Sequence, residues 1–150
     1  MQSTFLLIQF VSQNIALLCG ALFAGAATYV SLVEQPAIID GGAELTGTYI
    51  LLVQPRPTYF QTFFAAAGGL AGIAAGVTGN AALWLAGGLV LGLAVLFQLA
   101  VILPETRRLS QADLMADPDT ASGVLRRLTK LHAVQSLAGL ASLSMFILQV

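Results

Sequence analysis

Charge is nearly missing from this chain. Its 150 residues carry six Lys and Arg and seven Asp and Glu, and these are unevenly placed. Residues 1–33, 57–104 and 131–150 hold none at all. Only 9% of residues are charged, whereas a soluble surface wants roughly 25–35%. A helix of about 20 apolar residues crosses the roughly 30 Å hydrocarbon core of a bilayer. A charge at its centre costs about 2.5–3.5 kcal/mol on insertion scales. With 57% hydrophobic residues and a mean hydropathy of +0.87, the chain reads as an all-α integral membrane four-helix bundle. It forms one domain over residues 1–150, with spans at about 5–33, 58–79, 81–104 and 124–150 and two long loops on the cytoplasmic side.

Other scarcities exclude chemistry. Cys19 is the only cysteine, so no intrachain disulfide forms, and the thiol is expected to pack as a small hydrophobe within the first span. His132 is the only histidine, which excludes a haem held by two histidines of one chain and leaves a thin ligand set for any metal. No metal and no cofactor is expected. There is no glycine-rich dinucleotide fingerprint and no phosphate loop. The basic cluster Arg126, Arg127 and Lys130 precedes a span, where it sets topology and meets anionic lipid rather than nucleic acid. The uncharged N-terminal run has no basic leader and is longer than the ~7–15 residues of a signal core, so it is expected to be a retained span.

Punctuation residues mark the span ends. Pro36 and Pro104 follow the first and third spans and are expected to stop them. Pro55-Arg56-Pro57 precedes the second, which ends at Thr78-Gly79-Asn80, a cluster of helix-ending residues. Asp117 and Pro118 read as N-cap and first helical residue of the fourth helix. Gly41-Gly42 is expected to be a turn, and residues 45–53 a short interfacial segment. Spans 1–2 and 3–4 each form a hairpin, without an alignment that makes a convincing repeat.

All six basic residues fall in the two long loops or at their edges. The positive-inside rule then puts those loops in the cytoplasm and both termini outside, in a cell inner membrane, with Trp84 near the outer interface.

Within lipid, small and polar residues mark helix contacts. Each span has such a stripe at three- and four-residue spacing. Span 1 has Gln13, Gly20, Ala24, Ala27, Ser31 and Glu34; span 2 has Gln61, Ala65, Gly68, Gly72 and Gly76. Span 3 has Gly88, Leu91, Val95, Gln98, Ile102 and Glu105; span 4 has His132, Gln135, Ser136, Gly139 and Ser142. Packed through these stripes, the bundle gathers Glu34, Gln35, Gln61, Gln98, Glu105, His132 and Gln135 at its cytoplasmic end. His132 with Glu34 is the ionisable pair: a neutral imidazole can take a proton and a carboxylate can orient the ring. That suits proton abstraction from a weakly acidic carbon or phenol of a lipid-soluble substrate. The glutamines serve equally well as interhelical glue or as contacts to substrate oxygens.

Gly25 to Pro36, Pro104 to Leu109 and Leu131 to Gln135, in that order, resemble three segments of a domain-of-unknown-function family of small four-helix membrane proteins that includes the anthrone oxygenases. Gly25-Ala26-Ala27-Thr28-Tyr29-Val30-Ser31-Leu32-Val33-Glu34-Gln35-Pro36 resembles its first span, which ends in a Glu-His-Pro-like triplet. Pro104-Glu105-Thr106-Arg107-Arg108-Leu109 resembles a Pro-x-Asn-x-x-Leu-like motif, and Leu131-His132-Ala133-Val134-Gln135 a His-x-x-Arg-like motif. Gln35, Thr106 and Gln135 stand where the family often has His, Asn and Arg. The resemblance implies a four-helix membrane fold and cofactor-free oxidation of an anthrone to an anthraquinone by dioxygen. It would make His132 the base and Glu34 its orienting partner, with Gln35, Gln61, Gln98, Glu105 and Gln135 on the substrate, a small aromatic or quinone-like lipophile. The alternative is a non-enzymatic scaffold or partner subunit, a homo-oligomer joined through the glycine faces, in which His132 would be dispensable. A transporter would need several copies, since four spans are few.

Overall fold

Long uncharged runs rich in Ala, Leu and Gly can satisfy their backbone only by folding on themselves, and they do so here as helix. The computed structural model describes residues 2–41, 55–109 and 118–150. Within them the chain is all helix and turn, in four rods. Rod 1 joins α1 (Gln2–Tyr29), a π turn (Val30–Glu34) and α2 (Gln35–Asp40). Rod 2 is α3 (Pro55–Gly79). Rod 3 joins α4 (Ala82–Phe97), a second π turn (Gln98–Ile102) and α5 (Leu103–Leu109); rod 4 is α6 (Pro118–Ile147). The first three rods are long and apolar enough to cross a membrane. The fourth helix begins at Pro118, as expected, whereas Asp117, Gly42 and residues 45–53 lie outside the described residues.

Both prolines expected to end a helix stand inside a continuing one. In an α-helix the Pro36 ring would strike the carbonyl four residues back. The turn just before it is widened instead: the Gln35 N–H reaches back to Val30 O. The same device recurs before Pro104, where the Leu103 N–H reaches Gln98 O. A π turn of this kind is a local insertion in a helix. Rods 1 and 3 therefore run on to Asp40 and Leu109 instead of stopping near 33 and 104.

The rods alternate in direction and pack in chain order around a ring, with rod 4 closing on rod 1 and rods 1 and 3 scarcely touching across the diagonal. A Schellman turn joins rods 2 and 3. Asn80 takes a left-handed conformation, φ 49°, and the Ala81 N–H bonds Gly76 O at 3.0 Å. That conformation suits Gly or Asn and no β-branched residue. Asn80→Val should therefore lower the unfolding free energy by about 1–2 kcal/mol, and Asn80→Gly should leave it near wild type. Denaturant unfolding in detergent measures both, and equal stability of the two variants would contradict the turn.

Glycine brings the backbones together. A Cβ on Gly76 would lie 2.5 Å from Leu85 N, and one on Gly88 2.6 Å from Ile73 N. Gly68 faces Cys19 and Gly20 of rod 1. The stripe Gly68, Gly72 and Gly76 is thus buried within the chain. Gly20, Gly72 and Gly87 open the space that the Phe146 ring fills. Trp84 stacks on that ring, centroids 5.0 Å apart at 18°. Trp84 is 1% exposed, so it is a core residue in the first turn of α4, at the uncharged end of the bundle. Cys19 is buried, as expected. Two serines tie rod 4 to its neighbours: Ser136 Oγ to Ala27 O at 2.7 Å and Ser142 Oγ to Gly87 O at 2.8 Å.

The outer surface reverses the soluble pattern. Leu18, Leu32, Leu70, Val77, Leu93 and Leu137, from all four rods, are largely exposed. Every described charge lies at the end that holds Pro36, Pro57 and Pro104.

The two hairpins also match each other. With Pro36 set on Pro104, the π turns coincide, and buried Ala16, Gly20, Phe23 and Val30 fall on buried Trp84, Gly88, Leu91 and Gln98. With Gln61 set on Gln135, buried Ala65, Gly68 and Gly72 fall on buried Gly139, Ser142 and Phe146. The likeness lies in the π turns and in part of the burial pattern, and few of the paired residues are identical.

Candidate functional site

The charged end of the bundle is polar inside. On rod 1 the buried positions step by three or four through Phe23, Ala27 and Val30, and then by five to Gln35. The π turn inserts the extra residue, so Gln35 faces inward at 2% exposure while Glu34 is left half-buried at the edge. Plain α-helical spacing puts Glu34 inside, and the wide turn exchanges the two. Rod 2 contributes Gln61, one turn beyond Pro57. Rod 3 contributes Gln98, the first residue of its π turn. Rod 4 contributes His132 and Gln135, three apart on one face. All of these except Glu34 are buried.

What distinguishes this group is its unused hydrogen-bonding capacity. Both amide atoms of Gln61, Gln98 and Gln135 are buried without a partner, as are both ring nitrogens of His132 and Oε1 of Gln35. The Thr28 hydroxyl, missed in the sequence, is in the same condition. Each buried orphan costs about 1–3 kcal/mol, and folded proteins carry few of them. These atoms are left available to polar partners from outside the protein, water included. The groups on offer are almost all neutral. An amide and a neutral imidazole each supply donor and acceptor, which fits carbonyl and hydroxyl oxygens rather than ions.

Space leads to these groups. A cavity of about 10 Å³, room for about one water, is lined by Val30, Glu34, Gln35, Thr58, Gln61 and His132. Glu34 and His132 thus face one cavity, with no hydrogen bond between them. An apolar groove of about 450 Å³ between rods 1 and 2 shares Val30, Glu34, Pro57 and Gln61 with it. Its outer walls are Leu22, Gly25, Tyr29 and Phe60. A Cβ on Gly25 would meet nothing within 4 Å, so the groove floor is open there. An apolar body in this groove would present its inner edge to Gln61 and to the cavity beyond.

The seven residues expected to converge are not all in one place. Glu34, Gln35, Gln61 and His132 surround the cavity. Gln135 lines a second groove, between rods 3 and 4. Gln98 lines none of these spaces. Glu105 is engaged elsewhere: its carboxylate accepts from Arg127 at 3.0 Å through one oxygen and meets Arg108 at 3.4 Å through the other. It ties rod 3 to rod 4 and lines none of these three spaces. Among the described residues no three His, Cys, Asp or Glu side chains come together as metal ligands would.

No family model, no curated protein and no solved structure matches this chain.

Proposed function

We propose that the chain is a four-span inner-membrane bundle, charged end in the cytoplasm, that binds a small oxygenated aromatic lipophile entering from the bilayer between rods 1 and 2. The apolar outer face of all four rods supports immersion in lipid. Rod 4 is the most polar, yet its uncharged stretch from 131 to 147 is about 25 Å long at 1.5 Å per residue, close to a hydrocarbon thickness. The six basic residues gathered at one end support the orientation.

The observation that carries the reading is the pairing of a lipid-facing apolar groove with buried, unpartnered amides and an imidazole at its inner edge. A ligand with an apolar ring body and a carbonyl or hydroxyl satisfies both at once. His132, as a neutral imidazole, can serve there as a general base. Together with the motif resemblance this favours anthrone-oxygenase-like chemistry, with Glu34 across the cavity as the positioning carboxylate.

Native mass spectrometry in mild detergent with added anthrone tests binding. Wild type should retain the ligand. Gln61→Leu, which keeps the volume and removes the amide, should weaken retention about tenfold, the equivalent of ~1.4 kcal/mol of lost hydrogen bonding. Equal retention by wild type and Gln61→Leu would remove the groove from the function.

A further inference from the structure

The match between the hairpins extends to their outer faces. In the alignment that sets Pro36 on Pro104 and Gln61 on Gln135, Leu22, Gly25, Ala26 and Tyr29 fall on Val90, Leu93, Ala94 and Phe97, and Phe60 falls on Val134. The first set lines the groove between rods 1 and 2; the second lines a groove of about 530 Å³ between rods 3 and 4. The two grooves thus lie at matching places in the two hairpins, and each has a buried, unpartnered glutamine in its wall.

We propose that the groove between rods 3 and 4 is a second binding site, for another molecule of the same class: an apolar ring body whose carbonyl or hydroxyl bonds the Gln135 amide. The ligand class rests on the reading of the first groove; the existence of the site rests on Gln135 and on the match between the hairpins. Gln135 is 1% exposed, with donor and acceptor both unused, so the occupant must bring a polar atom into an otherwise apolar slot. A phospholipid acyl tail brings none and would leave both atoms orphaned.

The two sites differ in chemistry. Glu34 of the first falls on Ile102 in the second, and Thr58 falls on His132. The second groove therefore has no carboxylate at its edge and holds a neutral ligand, whereas the first faces the ionisable pair. The protein binds two lipophiles and can exchange protons with one of them.

Photolabelling of the full chain in phosphatidylcholine nanodiscs tests this, with benzophenone, an aromatic ketone that couples to nearby C–H bonds under ultraviolet light. Peptides from rods 1–2 and from rods 3–4 should both be labelled. Gln135→Leu should cut rod 3–4 labelling about tenfold and leave rod 1–2 labelling unchanged. Val134 is 53% exposed, so Val134→Trp fills the second groove from its outer side without entering the core, and it should do the same. Rod 3–4 labelling that survives both variants, or labelling confined to rods 1–2, overturns the second site. Labelling confined to rods 3–4 and lost in both variants upholds it and overturns the first groove instead. No labelling of either hairpin overturns both.

Discussion

Gly88→Ala should destabilise the bundle by roughly 3 kcal/mol, at the top of the usual range for overpacking, although it adds a single methyl group. Its Cβ would lie 2.6 Å from Ile73 N, 2.8 Å from Gly69 O and 2.9 Å from Gly72 C. All three are backbone atoms, which cannot swing aside as a side chain can. Rods 2 and 3 would have to separate. They are joined by a tight turn, so the separation must spread along their whole contact and into the Phe146 socket between Gly72 and Gly87. Gly92→Ala, one turn away on the same helix, is the control: its Cβ meets nothing within 4 Å. It should be neutral or stabilising by about 0.5–1 kcal/mol, the helix preference of Ala over Gly. Thermal unfolding of both variants in one detergent separates the steric effect from any general effect of losing a glycine. If Gly88→Ala melts with wild type, the close approach of rods 2 and 3 is wrong.

The interior faces of rods 2 and 4 were readable from spacing alone. Gln61, Ala65, Gly68, Gly72 and Gly76 are all buried, and so are His132, Gln135, Ser136, Gly139 and Ser142. Both rods are uninterrupted α-helix, so a fixed 3.6-residue period holds along them. Rod 1 broke the reading because its period changes at the π turn. Counting by threes and fours leads from Ala27 through Ser31 to Glu34, whereas the chain buries Val30 and then Gln35. The sequence does carry a sign of this, Pro36. A proline after a long apolar run reads equally as a stop, and only the helix continuing beyond it separates the two. Glu105 shows a different limit of spacing. Its position on the inner stripe was right and it is buried, but its partner Arg127 comes from another rod, and spacing within one helix says nothing about that. Trp84 is placed near a span end by the sequence, but its burial depends on the Phe146 ring from another rod, which spacing does not show. The likeness of the two hairpins escaped alignment because it lies in π turns and burial, and few paired residues are identical.

His132→Ala should lower anthrone turnover at least about 100-fold, the low end of what a positioned general base contributes, while the bundle stays folded. The fold should tolerate the change because the imidazole makes no hydrogen bond to the protein. Truncation leaves a cavity, which destabilises, but it also removes two buried orphan nitrogens, which offsets about 1–3 kcal/mol. The proposed reaction begins when a neutral His132 takes a proton from the methylene carbon that the anthrone carbonyl acidifies. The carbanion bonds dioxygen, and the resulting peroxide takes the proton back from the imidazolium. Loss of water from the hydroperoxide breaks the remaining C–H and the O–O bond. The CH2 has become C=O, and dioxygen is divided between that carbonyl and one water. In this proposal Gln61 would contact the ligand in ground state and transition state alike, so Gln61→Leu should raise KM and leave kcat nearly unchanged. His132 acts only when the proton moves, so its loss should fall on kcat. Oxygen uptake and quinone absorbance, followed together, give both constants and the stoichiometry of one dioxygen per quinone. If His132→Ala turns over at the wild-type rate, His132 is not the base. If wild type consumes no oxygen while still retaining the ligand, the protein binds the lipophile without transforming it.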